Sequence, residues 1–314
     1  MRGRYAPSPT GPMHAGNLRT ALLAWLQARL CGAEFVVRME DIDVPRTREG
    51  SATAIMEDLR WMGLDWDAGP TGLDEHDPYM QTARVQHYQA ALEYLQEREL
   101  VYPCWCTRRE IQEASSAPHG KTSVYPGTCA HLSVEERKEV QELRPDRQPA
   151  WRYRVDGWTE PLSFVDAIQG EYTQDLVDEV GDFVVLRSDG LWAYQLAVVV
   201  DDLMMGITDV LRGFDLLDST PRQIALSSVL SGFVREAGID PQPITYWHVP
   251  LMNDESGERL AKRTAAEQVD RTQPPERFIG HLARSLGWDV PDMTATELLN
   301  QIDIQRIREL KEKT

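Results

Sequence analysis

The sequence predicts an α/β fold in which helices wind around both faces of a parallel sheet. Three observations carry this. Short apolar strands alternate with amphipathic helices through the first hundred residues. A Pro/Gly-rich turn, Pro7-Ser8-Pro9-Thr10-Gly11-Pro12, joins the first strand to the first helix, and strand-length apolar runs return near residues 183, 208 and 244. Strand–helix–strand order with a glycine loop at the first turn begins a doubly wound, Rossmann-like parallel sheet.

Along the chain, Arg4-Tyr5-Ala6 closes a first strand. Leu18, Leu22, Leu26 and Leu30 recur every fourth residue, marking one buried helical stripe, and Gly32 stands where that helix would stop. Phe35-Val36-Val37 is a second strand. Ala52, Ile55, Leu59 and Met62 mark a second helix, and Val85, Tyr88, Leu92 and Leu95 a third. These make residues 1–100 the first half of the Rossmann-like domain. Residues 101–170 read as an insertion, where the pattern breaks around Cys104, Cys106, Cys129 and the loop Ser115-Ser116-Ala117-Pro118-His119-Gly120. The second half, 171–270, resumes with strands near 183–186, 208–212 and 244–249. Ser219-Thr220-Pro221 reads as a helix cap with Pro at the first position, ahead of Ile224, Val229 and Phe233. In a C-terminal extension, 271–314, Phe278, Leu282 and Leu286 suggest one helix and residues 295–312 another.

The chain has 314 residues, 42% hydrophobic with nine Trp, enough for a sizeable core. No apolar run reaches the roughly 18 residues of a membrane span, and the N-terminus lacks a signal-peptide core. Four Cys in so long a chain point to a reducing cytoplasm rather than a disulfide framework. A net charge of −17 argues against bulk attraction to nucleic acid, so any RNA contact needs a local basic face.

The loop before the first helix suits phosphate, because free N–H groups and the helix dipole meet there. Gly11 permits the tight turn, Gly16 would let a nucleotide approach the backbone, and His14 can donate to phosphate oxygens. The segment is neither a Walker A loop nor a G-x-G-x-x-G fingerprint. Near the other end lies a basic cluster, Arg259-Leu260-Ala261-Lys262-Arg263. Alone, the first also fits a plain strand–helix connection and the second a solvated loop.

Together they carry a resemblance. His14-Ala15-Gly16-Asn17 resembles the HIGH motif of class I aminoacyl-tRNA synthetases, and Arg4 to Gly11 is similar to the opening of the glutamyl-tRNA synthetase family. Arg259–Arg263 would be the KMSKR motif, departing from it at Arg259, Leu260 and Ala261 but keeping Lys262. Arg38 to Arg46, Tyr194 to Asp202 and Val210 to Asp215 match as well, so the likeness spans about residues 4 to 270. It implies ATP held by Pro7, Gly16, Asn17 and Lys262, with magnesium, and His14 and Lys262 as catalytic groups. It implies glutamate held by Arg4, Tyr5, Ala6, Pro7, Ser8, Glu40, Tyr194 and Arg212. Arg4 and Arg212 would face carboxylates, Glu40 the ammonium, and Tyr194 would close the pocket. Val198 replaces the Asn of ordinary members, a change expected to weaken glutamate binding.

Cys104, Cys106 and Cys129, with Tyr125, suggest a tetrahedral zinc site. The spacing fits inert buried thiols equally well. The resemblance favours one structural zinc with Tyr125 as fourth ligand, over His119 or His131, and Cys31 reads as a core thiol on the first helix. Only 51 residues follow Arg263, too few for a separate anticodon-binding fold of on the order of 100 residues. The resemblance therefore narrows to the branch that consists of the catalytic body alone. Its members activate glutamate without tRNA, which ordinary members require, and transfer it to the queuosine base at the wobble position of tRNA(Asp). The implied partners are ATP, L-glutamate and that anticodon loop, for a cytoplasmic monomer with no membrane partner. The alternatives are a short enzyme charging tRNA(Glu) and a non-catalytic glutamate-binding paralogue.

Overall fold

A computed structural model describes residues 1–74, 76–114, 124–252 and 270–312. The cluster around Lys262 and the candidate ligand His119 lie outside the described residues. In chain order the elements are β1 (Arg2–Tyr5), α1 (Ala15–Leu30), β2 (Glu34–Val37), α2 (Ser51–Trp61), α3 (Val85–Glu97), β3 (Val101–Cys104), α4 (Arg108–Ala114), α5 (Val134–Leu143), β4 (Ala150–Tyr153), β5 (Leu162–Asp166), β6 (Gly170–Gln174), β7 (Phe183–Leu186), α6 (Tyr194–Met204), β8 (Asp209–Gly213), α7 (Thr220–Glu236), β9 (Thr245–Val249), α8 (Pro275–Arg284), α9 (Ala295–Gln301) and α10 (Ile304–Arg308).

Four strands form the expected parallel sheet, in the order β2-β1-β8-β9. Its two faces follow from the two-residue period of a strand. Phe35, Val37, Leu211, Trp247 and Val249 face the core built around α1, while Val36, Val210 and Tyr246 face Met205, Ile207 and Phe164 on the other side. The chain leaves β1 through α1 toward one edge and leaves β8 through α7 toward the other. The strand order therefore reverses between β1 and β8, and a crevice opens beyond their carboxyl ends.

α1 departs from the expected single stripe. Leu18, Leu22, Leu23 and Leu26 are all fully buried, and so are Ala21 and Ala28. The sheet packs one side of it and α8, α9 and α10 pack another, so almost every face is apolar. The helix ends at Gly32 as expected, but Cys31 is its half-buried C-cap rather than an interior thiol.

The insertion has its own sheet, β3-β4-β7, fully antiparallel, and β5 and β6 make a hairpin. β7, read from sequence with the second half of the catalytic domain, thus pairs with a strand of the insertion. Two further expectations are corrected. Ser219 precedes α7, but its hydroxyl accepts from Gln195 Nε2 instead of capping the helix, and Pro221 follows Thr220, the first helical residue. The single helix expected over 295–312 is two, because Ile302 is extended and Asp303 caps α10 by accepting the Arg306 N–H. Among the described residues no helix is long and apolar enough to cross a membrane.

Candidate active site

A cavity of about 400 Å³ lies at the crevice between β1 and β8. Its floor is the loop from Tyr5 into α1. Pro7 and Pro9 keep that loop extended, and their carbonyls accept the N–H groups of Glu40 and Arg48. Gly11 takes φ 136°, which L side chains rarely adopt. His14 is the N-cap of α1: its Nδ1 accepts the Asn17 N–H at 3.3 Å, and Asn17 Oδ1 accepts the His14 N–H at 3.4 Å. With Nδ1 accepting, the proton of the neutral ring sits on Nε2. Gly16 has a use the sequence did not suggest. A Cβ there would stand 3.1 Å from the His14 ring, so the glycine makes room for the imidazole as well as for any ligand. Tyr5 braces the loop by donating to the Asn17 carbonyl at 3.1 Å.

The cavity wall is a set of charges on the sheet face away from α1. Strand periodicity puts Arg4, Arg38 and Arg212 on that face, just past its apolar Val36 and Val210. Arg38 is fully buried and donates to Asp202 Oδ1 at 2.7 Å and to Glu40 Oε1 at 3.0 Å. Arg4, 4% exposed, reaches both Asp202 oxygens at 3.4–3.5 Å and the Leu211 carbonyl. Burial alone would raise Asp202, but the guanidiniums of Arg4 and Arg38 hold its carboxyl below the usual value. Glu40 is the reverse case: burial pushes it up, against the pull of Arg38 and Arg4. The ion pair of Glu40 with Arg38 is thus a buried one facing the cavity, not a surface bridge.

Arg212 has different neighbours. It is 4% exposed, and its guanidinium donates to His248 Nε2 (3.0 Å), Gln223 Oε1 (2.7 Å), Thr220 Oγ1 (2.8 Å) and the Tyr194 hydroxyl (3.3 Å). Burial lowers the His248 value, so that ring is neutral, as are the other three partners. A buried cation held, among the described residues, only by neutral groups is costly unless an anion comes to it. Tyr194 borders the cavity from the start of α6; Val198, one turn on, is buried in the apolar cluster with α3 and α7 and does not line it.

Ser8, Glu40 and Tyr194 also line a second cavity of about 540 Å³, which runs toward the insertion. Arg46, Arg108, Arg147, Arg152 and Arg187 border it. Arg46 and Arg187 pair with Asp43 and Asp189, but the buried Nε atoms of Arg147 and Arg152 have no hydrogen-bond partner. On a chain of net charge −17 this is a local basic cleft.

Cys104, Cys106 and Cys129 converge at the edge of that cleft, with their sulfurs within 4.8 Å of one another. Four ligands at Zn–S distances of about 2.3 Å would set sulfurs roughly 3.8 Å apart. Cys106 and Cys129 Sγ are 3.6 Å apart, and the Tyr125 hydroxyl is 3.3 Å and 3.6 Å from the Cys104 and Cys106 sulfurs. Hydrogen bonds from the Cys129 thiol and the Tyr125 hydroxyl hold Cys104 well below the usual thiol value. The donor set fits a tetrahedral zinc. His131 is exposed and stands outside the cluster.

The first cavity therefore brings together Arg4, Tyr5, Ala6, Pro7, Ser8, His14, Gly16, Asn17, Glu40, Tyr194 and Arg212, every catalytic, ATP or glutamate candidate named from sequence except Lys262, which lies outside the described residues. Sequence reasoning missed Arg38 and Asp202 as its electrostatic frame, and Asp166 and His248 behind Arg212. Asp201-Asp202 had a visible signal: two acids ending the apolar run Leu196–Val200 of a buried helix. His248 sits in a strand among apolar residues and gave none.

Over residues 1–314 the chain matches the family described as tRNA synthetases class I (E and Q), catalytic domain. It is 45% identical over 314 residues to a Glutamyl-Q tRNA(Asp) synthetase of Symbiobacterium thermophilum, covering 97% of this chain and 93% of that one. The protein of the same name from Nitratidesulfovibrio vulgaris is 46% identical over 300 residues, 93% and 88% of the two chains. Among solved structures, glutamate-tRNA synthetase from Elizabethkingia anophelis superposes with TM-score 0.80 at 24% identity, over 100% of this chain and 68% of that one. A glutamate tRNA ligase from Elizabethkingia meningosepticum, in complex with its amino acid, gives 0.79 at 25%, over 100% and 66%. These two share the fold, and this chain spans about two thirds of their length.

Proposed function

This chain belongs to the class I tRNA synthetases of the E and Q type, and we propose that it activates L-glutamate with ATP and passes the glutamyl group to the queuosine base of tRNA(Asp). The observation that carries the reading is Arg212: a buried cation among neutral partners, across a cavity from Glu40 and beside the amino end of α1. Glutamate brings the matching charges. Its side-chain carboxylate goes to Arg212 and Tyr194, its ammonium to Glu40, and Arg4 balances the α-carboxylate on one side while holding Asp202 on the other.

In activation an α-carboxylate oxygen attacks the α-phosphorus of ATP, a bond forms there, and the bond to the bridging oxygen breaks to release pyrophosphate. Little covalent work falls to the protein, so positioning and stabilisation of negative charge do the catalysis. His14, the Gly16 N–H and the Asn17 side-chain amide serve the phosphates, and Lys262, outside the described residues, is assigned the same task. Magnesium, bound with ATP, would neutralise phosphate charge. In transfer the acceptor on the RNA attacks the glutamyl carbonyl and AMP leaves. The basic cleft that shares Ser8, Glu40 and Tyr194 with the first cavity supports an RNA acceptor arriving from the insertion side. Cys104, Cys106, Cys129 and Tyr125 would hold one zinc, which supplies a cross-link and no open coordination position. The reading is of a cytoplasmic monomer.

Labelled glutamate and ATP, offered to queuosine-containing tRNA(Asp), to the same tRNA without queuosine and to tRNA(Glu), test the proposal. Label on the first alone is the expected result. Label at the 3′ end of tRNA(Glu) would replace this reading with that of a short glutamyl-tRNA synthetase.

A further inference from the structure

Asp166 and His248 line neither cavity, yet both are fully buried behind Arg212. Resting on the glutamate-activating reading, we propose that His248, held by Asp166 as a hydrogen-bond acceptor, is a positioning residue that aims Arg212 at the substrate's side-chain carboxylate. Arg212 and His248 are register partners on β8 and β9, so their side chains rise together from one face of the sheet.

The protons fix the arrangement. Arg212 Nε–H donates to His248 Nε2 at 3.0 Å, which requires a lone pair on Nε2. The ring proton is then on Nδ1 and is donated to Asp166 Oδ2 at 2.6 Å. The other carboxylate oxygen, Oδ1, accepts three backbone N–H groups, from Ile168 (3.0 Å), Gln169 (2.9 Å) and His248 (3.2 Å). The turn between β5 and β6 therefore locks the carboxylate, the carboxylate selects the tautomer, and the tautomer anchors the back of Arg212. Gln223 and Thr220 hold its two sides, which leaves the guanidinium one direction, past Tyr194 into the cavity.

A single-atom change breaks this chain. In Asp166→Asn the amide oxygen must stay where Oδ1 is, because three N–H groups point at it. The new NH2 then faces His248 Nδ1 and forces the ring proton onto Nε2, against Arg212 Nε–H. Two donors meet, and Arg212 must turn. His248→Gln is the control: its amide oxygen reaches about the position of Nε2 and can still accept.

The experiment measures glutamate-dependent ATP–pyrophosphate exchange by the full chain and by Asp166→Asn, His248→Leu and His248→Gln, with thermal melting of each. Asp166→Asn and His248→Leu are expected to raise KM for glutamate about 10-fold to 100-fold, the range of a misdirected charge-assisted hydrogen bond, with KM for ATP within about twofold of the parent. His248→Gln is expected to keep KM for glutamate within about threefold. A parental KM in Asp166→Asn, a Gln variant as impaired as the Leu variant, or a parallel rise in both KM values would overturn the proposal. Should Asp166→Asn fail to fold, the Gln and Leu pair decides. No exchange by the parent removes the activation reading and this inference with it; an active parent with indifferent variants removes only the inference.

Discussion

At the scale of single residues, Arg212 and Glu40 divide the recognition of one substrate. Arg212→Ala should lower kcat/KM for glutamate about 100-fold, the upper range for a buried charge-assisted contact, and exchange kinetics check it. Gly16→Ala is a subtler test. The added methyl stands 3.1 Å from the His14 ring, which must shift, so the exchange rate should fall about tenfold while the melting temperature changes little. A full-rate Gly16→Ala enzyme would show that the His14 ring position is immaterial. Most of these residues were legible because the Pro/Gly loop and the Arg–Glu stretch carry distinctive side chains in short order. Asp166 and His248 were not. They lie 82 residues apart and meet only because the β5–β6 hairpin and β9 come together in the fold.

Elements explain which expectations failed. Periodicity located α1, α2, α3 and the strands of the parallel sheet because each buries a regular face. It misjudged α1, which is covered on several sides, and the C-terminal helices, where Asp303 starts a new helix inside an apparently continuous pattern. β7 was found, but not its partner, since a four-residue apolar run does not say which sheet it joins. The Cys cluster is the element-scale test. Val101, Tyr153, Val155 and Leu162 of the insertion join the core of α3, α6 and α7, but around the ligands themselves only Tyr102, Trp105 and Ala130 among the described residues are buried, so metal should contribute most of the local stability there. Purified protein should hold one zinc by atomic absorption. Chelation should expose the insertion to limited proteolysis and leave the parallel sheet protected; equal protection before and after would assign the cysteines an inert role.

Across the whole molecule, charge decides two behaviours. The body is strongly acidic, yet the second cleft gathers arginines, so RNA transfer should depend on salt far more than glutamate activation does. Arg108→Glu, at the exposed edge of the cleft, should weaken transfer about tenfold and leave exchange unchanged, as paired assays would report. Stability should also fall with acid in two stages. The unfolded chain takes a proton on His248 near its ordinary value of 6.5, whereas burial lowers that value in the fold, so stability present above 6.5 declines as pH falls below it. Asp166 and Asp202, held below their ordinary 3.8, add a second loss as pH falls through their folded values; Glu40, raised by burial, opposes it in part. Urea midpoints between pH 8 and 3 trace both stages, and His248→Gln should shrink the first, leaving the share of the half-buried His87, which burial also lowers.

The most direct measurement is ATP–pyrophosphate exchange by the purified chain with no RNA present, glutamate and glutamine offered in turn. The account predicts exchange with glutamate alone, because Arg212, a buried arginine whose partners among the described residues are all neutral, favours the acid over its amide. Exchange with both amino acids, or none until tRNA is added, would contradict it.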